Sequence, residues 1–190
     1  MRRALLAACV LTASSLAFDA STAEAQNNLI IEQPHSGSRP VTLDIHVGPS
    51  WYGVGLATGV RLGIPLVKNG FISNLNNAVY LTVGADFYYI RYCCRGGGGD
   101  PERYGPGFGF PVGLHWEFYF TEKLSAFAEV GANIFIGPWT FDNDADLRIG
   151  HYPGAWILFA VGGKFWVNDH FALMVRLGTP YAAVGMSLAF

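Results

Sequence analysis

The fold of this protein is decided by residues 108–120, which read FGFPVGLHWEFYF. Every second residue from Phe108 to Phe120 is large and apolar, whereas the residues between them are glycine, proline, histidine, glutamate and tyrosine. Successive side chains of an extended strand point to opposite faces of a sheet. The alternation therefore predicts a β-strand with one bulky apolar face and one face of small or polar residues.

The same alternation recurs seven more times, so it predicts eight strands in total, an even number. The other alternating segments are residues 41–47, 54–66, 79–89, 124–136, 157–167, 171–177 and 182–190. Two connections, 121–123 and 168–170, are short polar turns, whereas those around 93–107 and 137–154 are long and irregular. Short turns on one side and longer loops on the other are typical of outer-membrane barrels.

The composition favours a surface that faces lipid. Of the 190 residues, 51% are hydrophobic and only 14% are charged, whereas about 25% are charged in typical soluble domains. A soluble barrel would place bulky residues inside and cover its surface with lysine and glutamate. We expect the reverse here, with bulky residues against lipid and small or polar residues in the lumen. A soluble periplasmic barrel of the lipocalin kind is the alternative.

The backbone must also satisfy its hydrogen bonds in the membrane. No segment after residue 25 has the ~18 uninterrupted apolar residues of a spanning helix. A closed barrel is the other structure that pairs every backbone N–H and C=O within hydrocarbon. We therefore predict an all-β protein, an eight-stranded antiparallel up-and-down transmembrane β-barrel over residues 41–190.

The N-terminus predicts export. Residues 1–3 (MRR) are positively charged at two positions, residues 4–17 are largely apolar, and Ala23-Glu24-Ala25 fits a small-x-small cleavage site. This pattern is that of a cleaved secretory signal peptide over residues 1–25. Residues 26–40 lack a sustained period and are predicted to be a flexible lead-in to the barrel.

The C-terminus ends on Phe190, with apolar residues at every second position before it. This segment resembles the C-terminal assembly signal of bacterial outer-membrane proteins. The resemblance implies that Met186, Leu188 and Phe190 carry recognition by the barrel-assembly machinery. Over residues 41–190 the chain resembles the small eight-stranded outer-membrane barrels, the OmpA-barrel, opacity-protein and OmpW-like group. That resemblance implies a fold and a bacterial outer-membrane location, and it implies no particular activity.

Seven charged residues lie at positions that the alternation assigns to the lumen. They are Asp44, Arg61, Asp86, Glu117, Glu129, Lys164 and Arg176, and His46 and His115 share that face. An eight-stranded barrel has an interior only wide enough to be filled by side chains. Unpaired charges in such a space are costly, so we expect a structural, salt-bridged plug. A polar path for protons or small ions is the alternative.

These features predict a non-enzymatic outer-membrane barrel with a structural or surface-interaction role, whose partners are lipid and the assembly machinery. The net charge of −2 gives no electrostatic reason to expect a nucleic-acid partner. A narrow porin-like channel or carrier for small solutes is the second hypothesis. A lipid-modifying enzyme that uses Ser125 or Ser187 is the third, since it would need a base within hydrogen-bond reach of the nucleophile.

The remaining motifs suggest no cofactor and no firm ligand. Adjacent Cys93 and Cys94 suit neither a disulfide framework nor a zinc site, and their role is open. The glycine run at 96–99 lacks the ending of a phosphate-binding loop and predicts an external loop. Residues 142–146 (DNDAD) only partly match a calcium loop. Three aromatic residues near that loop suggest an interfacial belt: Trp139, Tyr152 and Trp156.

Overall fold

The structure is a computed structural model that describes residues 29–51, 55–92, 103–137 and 154–190. These ranges contain eight β-strands, which match the eight alternating segments. The strands are β1 (Thr42–Ser50), β2 (Gly55–Val67), β3 (Asn77–Tyr92), β4 (Arg103–Tyr119), β5 (Leu124–Ile136), β6 (Ala155–Asn168), β7 (Phe171–Thr179) and β8 (Ala183–Ala189). Across the described part of the chain, no helix has the length and apolarity needed to cross a membrane.

The eight strands form a closed barrel. Each strand pairs antiparallel with the next, and β8 returns to pair with β1. The stagger of the strands is found by following paired residues around the barrel from Asp44. In one direction, through β2 to β5, the pairs lead to Trp156 on β6. In the other direction, through β8 and β7, they lead to Trp166, so the two paths differ by ten residues. This stagger requires strands that tilt by about 35–45° from the barrel axis. The predicted eight-stranded antiparallel fold is thus confirmed.

The two ends of the barrel differ. The turn end, as we call it, carries the start of β1, the end of β8 and the connections 68–76, 120–123 and 169–170. Short polar side chains hold its tight turns, since the Thr121 hydroxyl accepts the N–H of Leu124 at 3.0 Å and the Asn168 amide oxygen accepts the N–H of His170 at 2.9 Å. The opposite end, which we call the loop end, carries the other connections.

The outer surface of the barrel is apolar. Around its middle, Leu114, Val130 and Phe159 pair side by side on β4, β5 and β6 and point outward. Val130 is 56% exposed and Phe159 is 51% exposed. None of the outward side chains that the structure describes on the eight strands is charged. The face assignment predicted from the alternation is therefore the observed one.

Residues 29–41, which we call the strap, lie across the turn end. They contain no helix or strand, but their backbone bonds to the rim at both ends. Ile30 donates its N–H to the Phe120 carbonyl at 2.8 Å, while Val41 and Phe190 exchange two hydrogen bonds of 3.0 Å. Since β1 and the β4–β5 turn lie on opposite sides of an eight-stranded ring, the strap crosses from one side of the barrel to the other.

Several sequence predictions concern residues outside the described ranges. These are the signal peptide at 1–25, Cys93 and Cys94, the glycine run at 96–99, Trp139, the calcium-like residues 142–146, and Tyr152. They stay predictions.

Candidate functional site

The lumen holds all seven charges that the alternation assigned to it. None of the seven is more than 4% exposed. They form two clusters joined by a central carboxylate, arranged in sequence along the barrel axis from the loop end to the turn end. Since a charge buried without partners is costly, the contacts within each cluster decide what the lumen can do.

The Asp86 cluster lies toward the loop end and consists of Asp86, Arg61, His46, Tyr88 and Tyr181. Arg61 donates two hydrogen bonds to the Asp86 carboxylate, from Nη1 to Oδ1 at 2.6 Å and from Nη2 to Oδ2 at 3.0 Å. The hydroxyls of Tyr88 and Tyr181 donate to Oδ2 at 3.0 and 3.2 Å. His46 places Nε2 at 2.7 Å from the Tyr181 hydroxyl and 3.4 Å from Oδ1. Asp86 thus has a bidentate, fully enclosed set of partners, the strong form of such a pair.

The Glu117 cluster lies toward the turn end and consists of Glu117, Lys164, Asp44, Ser125 and His115. The Lys164 ammonium is 3.2 Å from Glu117 Oε2 and 3.6 Å from Asp44 Oδ1. The Ser125 hydroxyl donates to Glu117 Oε1 at 2.5 Å. His115 Nε2 lies 3.4 Å from Glu117 Oε2. The Lys164 ammonium therefore forms ion pairs with two carboxylates, those of Glu117 and Asp44.

Glu129 joins the two clusters. Its carboxylate lies 2.8 Å from Arg176 Nη2 and 3.9 Å from Arg61 Nε of the Asp86 cluster. On the other side it lies 3.5 Å from His115 Nδ1 of the Glu117 cluster. The Thr82 hydroxyl donates to it at 3.1 Å. The ionic groups therefore form one continuous network through the barrel.

An aromatic layer lies in the lumen toward the loop end. It consists of Ala57, Tyr88, Phe135, Trp156, Tyr181 and Ala183, all buried. The Phe135 ring packs edge-on against Tyr88 at 5.4 Å and against Trp156 at 4.8 Å. Trp156 is only 8% exposed, so its predicted place in an interfacial belt is wrong. It follows Ala155 and precedes Ile157, and alternation turns it inward where an apolar seal is needed.

A large apolar ring also fills the centre of the lumen. Phe127 stacks on His115 with ring centroids 4.4 Å apart. A Cβ added at Gly162 would lie 2.4 Å from the tip of the Phe127 ring, so only glycine leaves room for it there. The expectation that small or polar residues alone fill the lumen is therefore incomplete, because the interior must be packed as well as neutralised.

At the turn end, a pair of tyrosines and an arginine of the strap lie together over the lumen. The hydroxyls of Tyr80 and Tyr119 are 2.9 Å apart. The Arg39 guanidinium lies over the Tyr119 ring, 4.2 Å from its centroid. Partial burial lowers the pKa of His35 on the strap, and the charge of Arg39 lowers it further. The charged form of the His35 imidazole is therefore disfavoured beside the Arg39 guanidinium.

The two serines considered as nucleophiles lie inside the lumen near the turn end. Ser125 is 1% exposed; it donates to Glu117 and accepts the indole N–H of Trp166 at 3.1 Å. Ser187 is fully buried and lies opposite Asp44 in the β1–β8 register. A nucleophile must reach its substrate, and both hydroxyls are enclosed by packed side chains in this arrangement.

Sequence reasoning missed several tyrosines that complete the site. The alternation gives Tyr80, Tyr88 and Tyr119 the inward parity of the strand charges, but the sequence does not mark them as partners of those charges. Tyr181 precedes β8, forms a bridge with Ser50 and has the inward parity of Ala183, but nothing in the sequence marks it as a partner of Asp86. Across the described ranges, no three His, Cys, Asp or Glu residues are grouped so that they could hold a metal ion.

Comparison with known proteins finds similarity to solved structures. No protein-family model matches the sequence, and no curated protein matches it. A solved structure described as "De novo design of transmembrane beta-barrels" is similar to this chain, with 13% sequence identity and a TM-score of 0.48. The alignment covers 82% of this chain and all of the designed one.

Proposed function

We propose that this protein is a bacterial outer-membrane β-barrel with a structural or surface-interaction role and a lumen closed by its own side chains. The observation that carries the proposal is the inverted polarity of the barrel. The long ionic side chains of Arg61, Lys164 and Arg176 are inside, while the described outward positions of the strands are uncharged. This is the arrangement that a barrel in lipid requires.

The size of the exposed apolar surface supports the proposal that the barrel lies in a membrane. Ile157, Leu177 and Val184 are 77%, 62% and 60% exposed, and they belong to a band that includes every strand. A soluble monomer rarely exposes a contiguous apolar patch larger than a few hundred Å². Seven of the eight strands are 9 to 17 residues long, and a tilted strand spans a bilayer with about 9–11 residues.

The C-terminal strand supports the proposal that the barrel-assembly machinery is a partner of this protein. Met186 and Phe190 point outward and are 41% and 67% exposed, and Leu188 shares their face. The strand closes the barrel by pairing with both β1 and β7. We propose that this face is read during insertion, before β1 covers the strand edge, and that the signal peptide at 1–25 delivers the chain to that step.

The closed lumen favours the structural role over a pore. The aromatic layer, the ionic network and the tyrosine pair follow one another along the axis, and all their side chains are buried except that of Tyr119, which is half-buried. An eight-stranded barrel leaves no room beyond what such side chains occupy. We propose that contact with external partners is made by the connections at the loop end.

Replacing Val130 by arginine tests the membrane placement. Val130 lies at the middle of β5 and is 56% exposed. In a bilayer, arginine at the midplane is expected to lower the unfolding free energy by about 2–4 kcal/mol. On a soluble barrel, the same exposed substitution should change it by less than about 0.5 kcal/mol. The measurement is urea unfolding of the protein refolded in phospholipid vesicles.

Leu66→Arg is the matched control for Val130→Arg. Leu66 also points outward and is 53% exposed, but it lies next to the end of β2 at the turn end. Near the interface the cost of arginine falls to about 0–1 kcal/mol. Equal losses at both depths, or none at either, would contradict the bilayer proposal.

Ion conductance tests the closed lumen. The refolded chain in a planar bilayer is expected to insert without producing current steps, because the ionic groups are paired and packed throughout the described lumen. Protease protection of the strands should confirm insertion in the same preparation. Reproducible single-channel steps would reject the closed lumen and favour the narrow channel, with the network around Glu129 as its polar path.

A further inference from the structure

The two ends of the lumen are closed in different ways. At the loop end, the aromatic layer is built largely from strand side chains such as Phe135 and Trp156. At the turn end, the cover is the strap, a segment outside the strands. From this difference we infer that the strap is a removable cover that controls the access of water and small solutes to the Glu117 cluster. The inference rests on the proposed closed lumen and adds its regulation.

The strap is held by a small number of polar contacts at the rim. At its centre, the His35 N–H donates to Asn69 Oδ1 at 3.0 Å. Near its C-terminal end, Arg39 donates from Nε to the Lys68 carbonyl at 3.0 Å and from Nη2 to Asn76 Oδ1 at 2.5 Å. Asn76 in turn donates its backbone N–H to the Ile31 carbonyl at 2.7 Å. The side-chain contacts of Arg39 are exposed or part-buried and lie outside the strands, so the strap can open without disturbing the strand pairs beneath it.

The Glu117 cluster lies directly under the strap. Arg39 covers the Tyr119 ring, and Tyr119 pairs with Ser125 in the β4–β5 register. Ser125 pairs with Lys164 in the β5–β6 register. Lys164 is therefore two strand pairs from the residue that Arg39 covers, although its side chain is only 2% exposed. Lifting Arg39 from Tyr119 opens the shortest route from solvent to the ammonium of Lys164.

Lysine labelling tests the cover. The chain has three lysines, of which Lys68 and Lys123 are exposed at the turn end and Lys164 is buried. The full chain, refolded in detergent, is treated with formaldehyde and cyanoborohydride, and methylation of each lysine is followed by mass spectrometry. Arg39→Ala removes two charge-assisted hydrogen bonds, so we expect Lys164 to react at least about tenfold faster than in the parent chain.

The comparison contains its own controls. Lys123, in the β4–β5 turn, should react at an unchanged rate, and Glu32→Ala, an exposed change on the strap, should leave Lys164 at its parent rate. Ile30→Pro removes the N–H that bonds to the Phe120 carbonyl and is a second way to loosen the strap. It provides the decisive comparison if Arg39→Ala prevents folding.

Two results would overturn the inference. One is a parent chain in which Lys164 already reacts as fast as Lys68. The other is a folded Arg39→Ala or Ile30→Pro chain in which Lys164 keeps the slow parent rate. Neither result depends on conductance. The labelling experiment therefore tests the strap, and the conductance experiment separately tests the closed lumen.

Discussion

An Arg61→Met variant is expected to unfold with a free energy about 3–5 kcal/mol lower than that of the parent chain. Arg61 supplies both hydrogen bonds of the bidentate pair with Asp86 and a third, at 2.6 Å, to the Tyr181 hydroxyl. Methionine fills much of the same volume, so the loss reports the carboxylate left without its cation and not a cavity. Asp86 is 2% exposed and cannot recover its partner from solvent.

The measurement is urea unfolding in detergent micelles, followed by tryptophan fluorescence. Lys68→Met removes the same charge from an exposed position at the turn end and should change stability by less than about 0.5 kcal/mol. Combining Arg61→Met with Asp86→Asn should recover part of the loss, because the uncompensated charge is gone. A single Arg61→Met variant as stable as the parent would show that Asp86 does not depend on this pair.

Much of this network was visible in the sequence because alternation encodes the face of each residue. The seven charges were assigned to the lumen from parity alone, and parity also turns Tyr88 inward beside Asp86. Parity is robust in a barrel because a shift of one residue would place every apolar side chain of a strand on the wrong face. The eight strands and the polarity of the wall were predictable for the same reason.

The wrong prediction for Trp156 was based on residue type, although the alternation predicted its position correctly. Tryptophan near a long loop suggested an interfacial belt, yet the outward parity of Ile157 already assigned Trp156 to the lumen. Phe127 and Phe135 have inward parity as well, although they are large and apolar. For these three residues, parity predicts the side of the barrel wall correctly, whereas residue type does not.

Which charges pair could not be predicted, because pairing depends on the stagger of the strands. Arg61 lies opposite Gly84 in the β2–β3 register and reaches diagonally to Asp86. A Cβ at Gly84 would lie 2.9 Å from the Arg61 guanidinium, so the glycine makes this reach available. The contact of Arg61 with Tyr181 crosses from β2 to the connection before β8. Such contacts follow from the closure of the barrel, which no local pattern specifies.

The strap was also beyond the reach of local pattern. Residues 26–40 have no period and were predicted to be a flexible lead-in, and the described part has no regular structure. Its order comes from single contacts with distant residues, such as the bonds from Arg39 to the Lys68 carbonyl and to Asn76. A segment without a strand or helix gives no sign of such contacts, because each depends on where the barrel rim places its carbonyls and amides.

Glu129→Gln is expected to give the second large loss, again about 3–5 kcal/mol of unfolding free energy. Glutamine has nearly the same shape and can still accept the hydrogen bond from Thr82, so the change removes mainly the charge. In the parent chain, Arg176 Nη2 lies 2.8 Å from the Glu129 carboxylate. In the variant this carboxylate is gone, and Arg176 is only 1% exposed to solvent. His115 and Arg61 lose their shared neighbour at the same time, so both clusters are weakened.

Glu122→Gln is the matched control for Glu129→Gln, because Glu122 is exposed in the turn between β4 and β5 and should cost less than about 0.5 kcal/mol. Stability and conductance are measured on the same preparations, since the two hypotheses for the lumen differ in both. A structural plug predicts a large loss of stability at Glu129 and no current before or after the change. Unchanged stability together with an altered single-channel current would instead make Glu129 part of an ion path, since a charge that lines a water-filled passage is solvated and does not need Arg176 to remain in the fold.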